Sequence, residues 1–319
     1  MSGSQTPPRP IDTHGESDAH RTHPNQPAHV PPLQEAPLRV HHLARKLGGE
    51  PRPRRLRAVL GAASRRGEVA DRPLTMETEA GVASLTGRSH RATGRPNEDR
   101  TRQLDGRVRI AAEAGRGFVY CVADGVGGAP LGMRAAQHLV SDLSRFYQTP
   151  LPELEIGALQ AIIEAASRTV HGWGQVEVED AQGVWIPTDR PLGAAAATVA
   201  WFAPGGPLHI LQVGDTAAFV IRRGVAERVT ALHGAGRALV RFIGQADVVV
   251  EVTQPSFDDG DFLVLVSDGV WGAKGADVIA RVVGAARDPQ GAADRLVALA
   301  VERGSQDDVT AVVVELLEW

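Results

Sequence analysis

From Thr75 onward the chain breaks into short apolar runs bounded by glycine and aspartate. Phe118–Ala123 leads into Asp124-Gly125, and Leu208–Val213 leads into Gly214-Asp215. Phe262–Val266 leads into Ser267-Asp268-Gly269, while Asp307-Asp308 opens the run Val309–Leu317. Runs this short and this rich in Val, Leu and Phe predict buried strands. Between them the apolar period becomes helical. Met133, Ala136, Leu139, Val140, Leu143 and Phe146 fall on one face, as do Leu159, Ile162, Ile163, Ala166 and Val170. Val278, Ile279, Val282 and Val283 predict a third helix, and Ala292, Leu296, Leu299 and Ala300 a fourth. Paired helices between strand runs, without a βαβ rhythm, predict a layered α+β body. Residues Gly172–Leu192 and His233–Gly244 read as loops or a flap, where selectivity would lie.

The first 76 residues follow neither pattern. They hold 11 of the 21 prolines and six of the 11 histidines, so this segment cannot sustain long helices. With few apolar residues to bury, residues 1–37 are expected to be disordered. Leu56, Val59, Leu60 and Ala63 would allow a short basic helix over Arg54–Arg66, but the stripe is short and Ala-rich and reads better as a solvated linker. Charge divides at the same place. Of the formal net charge of −4, residues 1–76 contribute +5 and residues 77–319 contribute −9. The expected organisation is a basic Pro/Arg/His-rich arm, residues 1–76, able to dock a partner, followed by one body at 77–319.

Composition then removes several chemistries. A single cysteine, Cys121, allows no internal disulfide and no Cys-based zinc site. No apolar run reaches the length of a membrane span, and the N-terminus lacks a signal-peptide pattern, so the expected location is cytoplasmic. No partnership with nucleic acid is expected. The sequence has no phosphate loop ending in Gly-Lys-Ser/Thr and no G-x-S-x-G elbow. Cys121 lies inside an apolar run, where a thiolate is disfavoured, and is read as core.

The aspartates are what remain. An Asp-Gly pair after a strand is ordinarily a turn, yet here Asp124 and Asp268 end apolar strands and Asp307 starts one. On neighbouring strands of one sheet the three would converge at one edge. Two carboxylates about 4 Å apart repel by roughly 4 kcal/mol at an effective dielectric of 20, and a divalent cation removes that cost. Oxygen ligands without Cys or His favour Mg²⁺ or Mn²⁺ over Zn²⁺. Gly125, lacking a Cβ, could bring its carbonyl close to such an ion. Activated water attacking a phosphoester is the chemistry that suits this set.

In order along the chain stand Gly94-Arg-Pro-Asn97-Glu98-Asp99, Val122-Ala-Asp124-Gly125-Val-Gly127-Gly128, Thr198 before Val-Ala-Trp, Val213-Gly214-Asp215-Thr216, Ser267-Asp268-Gly269-Val-Trp271 and Asp307-Asp308-Val309-Thr310. This set resembles the protein phosphatase 2C (PPM) family of metal-dependent Ser/Thr protein phosphatases, in its bacterial form, over about residues 81–319. The resemblance implies two antiparallel sheets sandwiched between helix pairs, in α-β-β-α order. It implies two Mn²⁺ or Mg²⁺ ions, with a third left open. Asp124 would bridge the two, Gly125 would offer its carbonyl, and Asp268 and Asp307 would hold the first. Glu98 would act through water, with Asp99 in support. The substrate would be a phospho-Ser/Thr protein, the product of a Ser/Thr kinase.

Three departures from the family pattern stand out. The position four before Glu98, where the family places a phosphate-holding arginine, is Gly94, leaving Arg95 or Arg91 for that task. The position four after Asp268 is Gly272 and supplies no third-ion carboxylate, while Asp189 lies near the place of another third-ion ligand. The usual asparagine after Asp307 is Asp308, and the Gly-Thr-Thr strand is reduced to Ala195-Ala-Ala-Thr198. The alternatives left open are a catalytically weak phosphoprotein-binding module on the same fold and a phosphatase for small phosphoesters.

Overall fold

The computed structural model describes residues 58–59, 75–148, 155–235, 238–272 and 275–318. The Pro-rich stretch of the arm and most of the Arg54–Arg66 stripe lie outside these residues.

Two antiparallel sheets form the centre. The six-stranded sheet runs, in spatial order, Ala58–Val59, Thr75–Leu85, Val309–Glu318, Phe262–Val266, Ala217–Arg222 and Val225–Arg228. The five-stranded sheet runs Glu251–Thr253, Leu208–Val213, Ala195–Phe202, Phe118–Gly125 and Arg100–Leu104. The continuous apolar runs have a direct cause: both faces of each central strand are covered. In Phe118–Gly125 the side chains of Phe118, Tyr120 and Val122 enter the core between the sheets, while Val119, Cys121 and Ala123 enter the core beneath the helices Gly132–Asp142 and Glu155–His171. In Val309–Glu318, Val312, Val314 and Leu316 face the inter-sheet core, and Val309, Ala311 and Val313 face the helices Ala276–Ala285 and Pro289–Glu302. Period-two alternation thus generates the helix, sheet, sheet, helix order.

The inter-sheet core is held by aromatic contacts. Phe202 meets Tyr120 edge-to-face at 5.7 Å and Phe257 at 5.4 Å. The buried Tyr120 hydroxyl is satisfied by Thr78 at 2.8 Å and Asp105 at 3.3 Å. Truncating a ring such as Phe202 to alanine would cost about 3–5 kcal/mol. Cys121 is fully buried, and burial pushes its thiol well up, consistent with a core role.

All four expected helices form, with the first continuing into a 3₁₀ turn at Leu143–Tyr147. The flap region folds as a hairpin, Gln175–Glu179 paired with Trp185–Pro191, and His233–Gly244 contains the small pair Gly234–Ala235 with Ala238–Leu239. One expectation needs correction. The strands bearing the three aspartates are not neighbours in one sheet: Phe118–Gly125 belongs to the five-stranded sheet, while Phe262–Val266 and Val309–Glu318 are paired in the six-stranded one. Any convergence must occur across the sandwich. Ala58–Val59 is extended and pairs with Thr75–Met76, so the six-stranded sheet reaches residues on the arm side of the boundary drawn from composition.

Candidate active site

Asp124 stands near the end of its strand opposite Ala196, with Gly125 opposite Ala195. The chain then turns into the helix beginning at Gly132. A Cβ on Gly125 would lie 2.5 Å from the Gly132 carbonyl carbon, and a Cβ on Gly132 would lie 2.6 Å from the Val126 oxygen. Glycine is therefore required at Gly125 and Gly132 because backbone packs on backbone there, whereas a Cβ at Gly127 or Gly128 would meet no backbone. The hairpin closes over this turn, Arg190 donating from Nη2 to the Gly128 carbonyl at 2.7 Å. Beside it a 270 Å³ groove is lined by Val126, Ala129, Arg190, Pro191 and Phe242.

The six-stranded sheet supplies the opposite wall. Ser267 N–H donates to the Thr310 carbonyl at 3.1 Å, Thr310 N–H donates to Ser267 Oγ at 3.0 Å, and Ser267 Oγ–H donates to Asp99 Oδ2 at 2.8 Å. Ser84 Oγ and Thr310 Oγ1 share a hydrogen bond at 2.7 Å, and Asn97 Nδ2 donates to Ser84 Oγ at 2.9 Å. The Asn97-Glu98-Asp99 segment is thereby suspended from the ends of three adjacent strands or their loops. Asp268 starts the short helix Asp268–Trp271.

Asp308 is the fastening point. It is 2% exposed and accepts from Gly87 N–H at 2.7 Å, His90 Nδ1 at 2.9 Å and Glu98 N–H at 2.6 Å. These donors engage both carboxylate oxygens. An asparagine would offer only one acceptor, which accounts for aspartate at this position. His90, which sequence reasoning passed over, places Nε2 3.9 Å from Glu98 Oε2. A lone histidine among arginines carries no motif, so no sequence signal marked it.

The displaced arginine also has a local cause. Gly94 closes the helix Arg88–Thr93 with φ of +70°, a left-handed conformation that an arginine would adopt only with strain. Arg95, one residue on, donates from Nη2 to Glu98 Oε1 at 2.6 Å and reaches the Gly127 carbonyl at 3.2 Å through Nη1. Arg91 instead donates to the Thr86 carbonyl. Of the two candidates, Arg95 is the one bonded to a member of the carboxylate group. Asp189 stands exposed on the hairpin, and Gly272 N–H caps the Asp268 carbonyl at 2.7 Å.

Carboxylates from the two sheets act on one another electrostatically. Burial raises the Asp124 carboxyl well above its ordinary value, and the charges of Asp99, Asp268, Asp307 and Asp215 raise it further. Asp268 is pushed up to about 7 by burial, then by Asp307, Asp215 and Asp99. Asp99 is pushed up to about 6 by burial, with Asp308 and Asp307 adding to it and the Thr310 and Ser267 hydroxyls opposing. Asp215 is also raised, by burial and then by Asp307. Left out of the ion-holding set on sequence grounds, Asp215 follows the same strand-then-Gly/Asp pattern as Asp124. Three buried oxygens, Glu98 Oε2, Asp99 Oδ1 and Asp268 Oδ1, have no hydrogen-bond partner among the described residues. Unpaired buried carboxylate oxygens in a group of repelling charges fit a hard divalent cation. No three His, Cys, Asp or Glu side chains among the described residues are already gathered into a closed ligand set.

The sequence model of the family described as protein phosphatase 2C matches residues 86–278, more than half of the chain. The chain belongs to the protein phosphatase 2C family. It is similar to the probable protein phosphatase 2C 69 of Arabidopsis thaliana, 28% identical over 233 residues, covering 63% of this chain and 62% of that protein. The fold is similar to that of the S. agalactiae serine/threonine phosphatase, with a TM-score of 0.62, 22% identity, and coverage of 76% of this chain and 100% of the other. It is also similar to the catalytic domain of the serine/threonine phosphatase PstP in complex with two manganese ions, with a TM-score of 0.58, 20% identity, and coverage of 76% and 99%. At these identities the likeness to solved structures establishes the 2C fold. No helix among the described residues is long and apolar enough to cross a membrane.

Proposed function

We propose that this 2C-family chain is a metal-dependent phosphatase acting on phospho-Ser/Thr proteins. The observation that carries the proposal is the group of carboxylates from both sheets, in which Glu98, Asp99 and Asp268 keep buried, unpaired oxygens and Asp124 and Asp268 are raised by burial and by neighbouring carboxylates, with Asp307 exposed beside them. Asp124, Asp268, Asp307, the Gly125 carbonyl and Glu98, the last through water, would hold two Mn²⁺ or Mg²⁺ ions. Such ions supply Lewis acidity and make water nucleophilic at neutral pH. Asp99 holds the Ser267 hydroxyl and shapes the field on Asp124. Arg95, with its side chain 42% exposed and its guanidinium anchored by Glu98, is placed to receive a phosphoryl group by charge-assisted hydrogen bonds. The groove under the hairpin would take the apolar residues flanking the phosphorylated one. We place the catalytic body at 77–319, with the basic arm at 1–76 as a docking leader. We assign a cytoplasmic setting, in opposition to a Ser/Thr kinase.

The test is hydrolysis of p-nitrophenyl phosphate and of phosphoserine and phosphothreonine peptides, with Mn²⁺ and after chelation. Hydrolysis that needs Mn²⁺ and extends to the peptides supports the proposal. Peptide binding without phosphate release would make the protein a phosphoprotein-binding module, and activity on p-nitrophenyl phosphate alone would point to small phosphoesters. Arg95→Ala should raise KM for a phosphopeptide roughly tenfold or more, the scale of a charge-assisted bond to phosphate. Arg91→Ala should leave it unchanged.

A further inference from the structure

The helices over the six-stranded sheet carry more apolar surface than the sheet covers. In Ala276–Ala285, Ile279, Ala280 and Val283 are buried against the sheet; in Pro289–Glu302, Ala292, Ala293, Leu296, Val297 and Ala300 are buried there. The sequence pattern assigned Val278, Val282 and Leu299 to those faces as well. The structure leaves all three half-buried, Val282 packing in part on that core, and together they line an outer groove of 550 Å³ between the two helices, a size typical of ligand pockets. Val278 and Val282 repeat at i, i+4 along one wall, and Gly291, Arg295, Leu299 and Arg303 repeat at the same interval along the other.

The rim of this groove is basic. Arg281, Arg287, Arg295 and Arg303 line it with one acidic residue, Asp288. Asp288 is occupied as a helix cap, accepting from Gly291 N–H at 2.7 Å. Arg295 is paired with Glu302 at 2.8 Å. The guanidinium groups of Arg287 and Arg303 make no hydrogen bond or ion pair among the described residues, Arg303 bonding only through its backbone N–H to the Leu299 carbonyl. A concentration of positive charge around an apolar floor is conspicuous in a segment whose net charge is −9. The arm cannot neutralise it, because residues 1–76 carry +5, the same sign.

We propose that this groove binds a short acidic amphipathic helix of a partner protein, its apolar residues against Val278, Val282 and Leu299 and its carboxylates on Arg287 and Arg303. Two packed helices with an apolar seam accept a third by seating side chains at i, i+3 and i+4 spacing. The guanidiniums fix orientation by pairing with carboxylates on both flanks. The groove shares no lining residue with the carboxylate group and does not depend on the proposed phosphatase activity.

Fluorescence anisotropy with a labelled peptide of about 14 residues, matching the roughly 21 Å length of the longer helix, tests it on the full chain. The peptide carries Leu at i, i+3 and i+4 spacing flanked by Glu. We expect saturable binding that weakens with salt and falls at least about tenfold in the double variant Arg287→Glu/Arg303→Glu. Its Glu-to-Lys counterpart should not bind. Normal hydrolysis of p-nitrophenyl phosphate or, failing activity, an unchanged melting temperature shows that the variant is folded. Absence of saturation, equal binding of the Lys peptide, or undiminished binding by the variant would overturn the proposal. Arginine-dependent binding to phosphatidylserine vesicles in preference to the peptide would overturn it in favour of a membrane surface.

Discussion

Two polar groups among the described residues differ in a way that separates support from function. The first links Thr198, Gln212 and Thr216. Thr198 Oγ1 donates to Gln212 Oε1 and shares a hydrogen bond with Thr216 Oγ1 at 2.7 Å, while Gln212 Nε2 donates to the Thr216 carbonyl at 2.7 Å and the Gly214 carbonyl at 3.1 Å. Donors and acceptors on the Gln212 amide are matched, and all three groups are neutral. The second is the carboxylate group of Glu98, Asp99, Asp124, Asp268 and Asp307. It has more acceptors than donors, unpaired oxygens and mutual repulsion. A satisfied network stabilises one fold, whereas an unsatisfied one persists only if a ligand completes it.

The largest expected effect breaks this contrast most directly. Asp124→Asn should reduce Mn²⁺-dependent hydrolysis by at least about 10²-fold, since it removes a carboxylate proposed to hold the ions. Without metal at pH 8 its melting temperature should be unchanged or higher, because burial and the neighbouring carboxylates make an ionisable carboxyl costly at this position. Gln212→Ala should behave oppositely, costing about 1–3 kcal/mol by orphaning its partners and leaving kcat near the wild-type value. Calorimetry and steady-state kinetics on both variants check the pair. Loss of stability in Asp124→Asn equal to that in Gln212→Ala would erase the distinction.

The pH dependence of the metal-free protein sharpens it further. Asp99, at about 6, and Asp268, at about 7, lie above the ordinary value of 3.8, so the folded state retains protons that the unfolded state releases. Their contribution to stability is fully present below about pH 4 and is lost as pH rises through 6 and 7. The melting temperature of the metal-free protein should therefore fall between about pH 5 and pH 8. Added Mn²⁺ should restore it at the upper end by binding the folded state. The satisfied network has no titrating member and predicts no such slope, so a flat melting profile would remove the electrostatic half of the comparison.

How far these two groups were legible in the sequence follows from which interactions are local. Asp124 and Asp268 announce themselves because each ends an apolar run, and the helical faces were readable from their period. The crossing between sheets was not. An apolar run records burial on both faces but not which sheet it joins, so aspartates expected along one edge stand on two different sheets and act on one another between them. Asp215 carried the strand-end signal and was set aside. His90 carried none, because its role arises from Asp308, distant along the chain. The outer groove was hidden for another reason: helical spacing marks Val278, Val282 and Leu299 as apolar without saying that the core covers them only in part.

The smallest expected effect concerns where the arm ends. Composition draws the boundary after residue 76, yet Met76 is 1% exposed and packs in the inter-sheet core, with its strand continuing to Leu85. Strand residues Thr75 and Met76 also receive the pairing of Ala58–Val59. Removing residues 1–57 should leave both the melting temperature and the rate on p-nitrophenyl phosphate almost unchanged, since the proposed site draws nothing from them. Removing residues 1–76 takes away a buried methionine side chain, worth about 1.5–3 kcal/mol of burial, together with the edge pairing. That deletion should lower the melting temperature while sparing the rate at temperatures well below it. Equal stability of the two truncations would return the boundary to residue 76, and a fall in rate with the shorter deletion would make the arm part of the catalytic body.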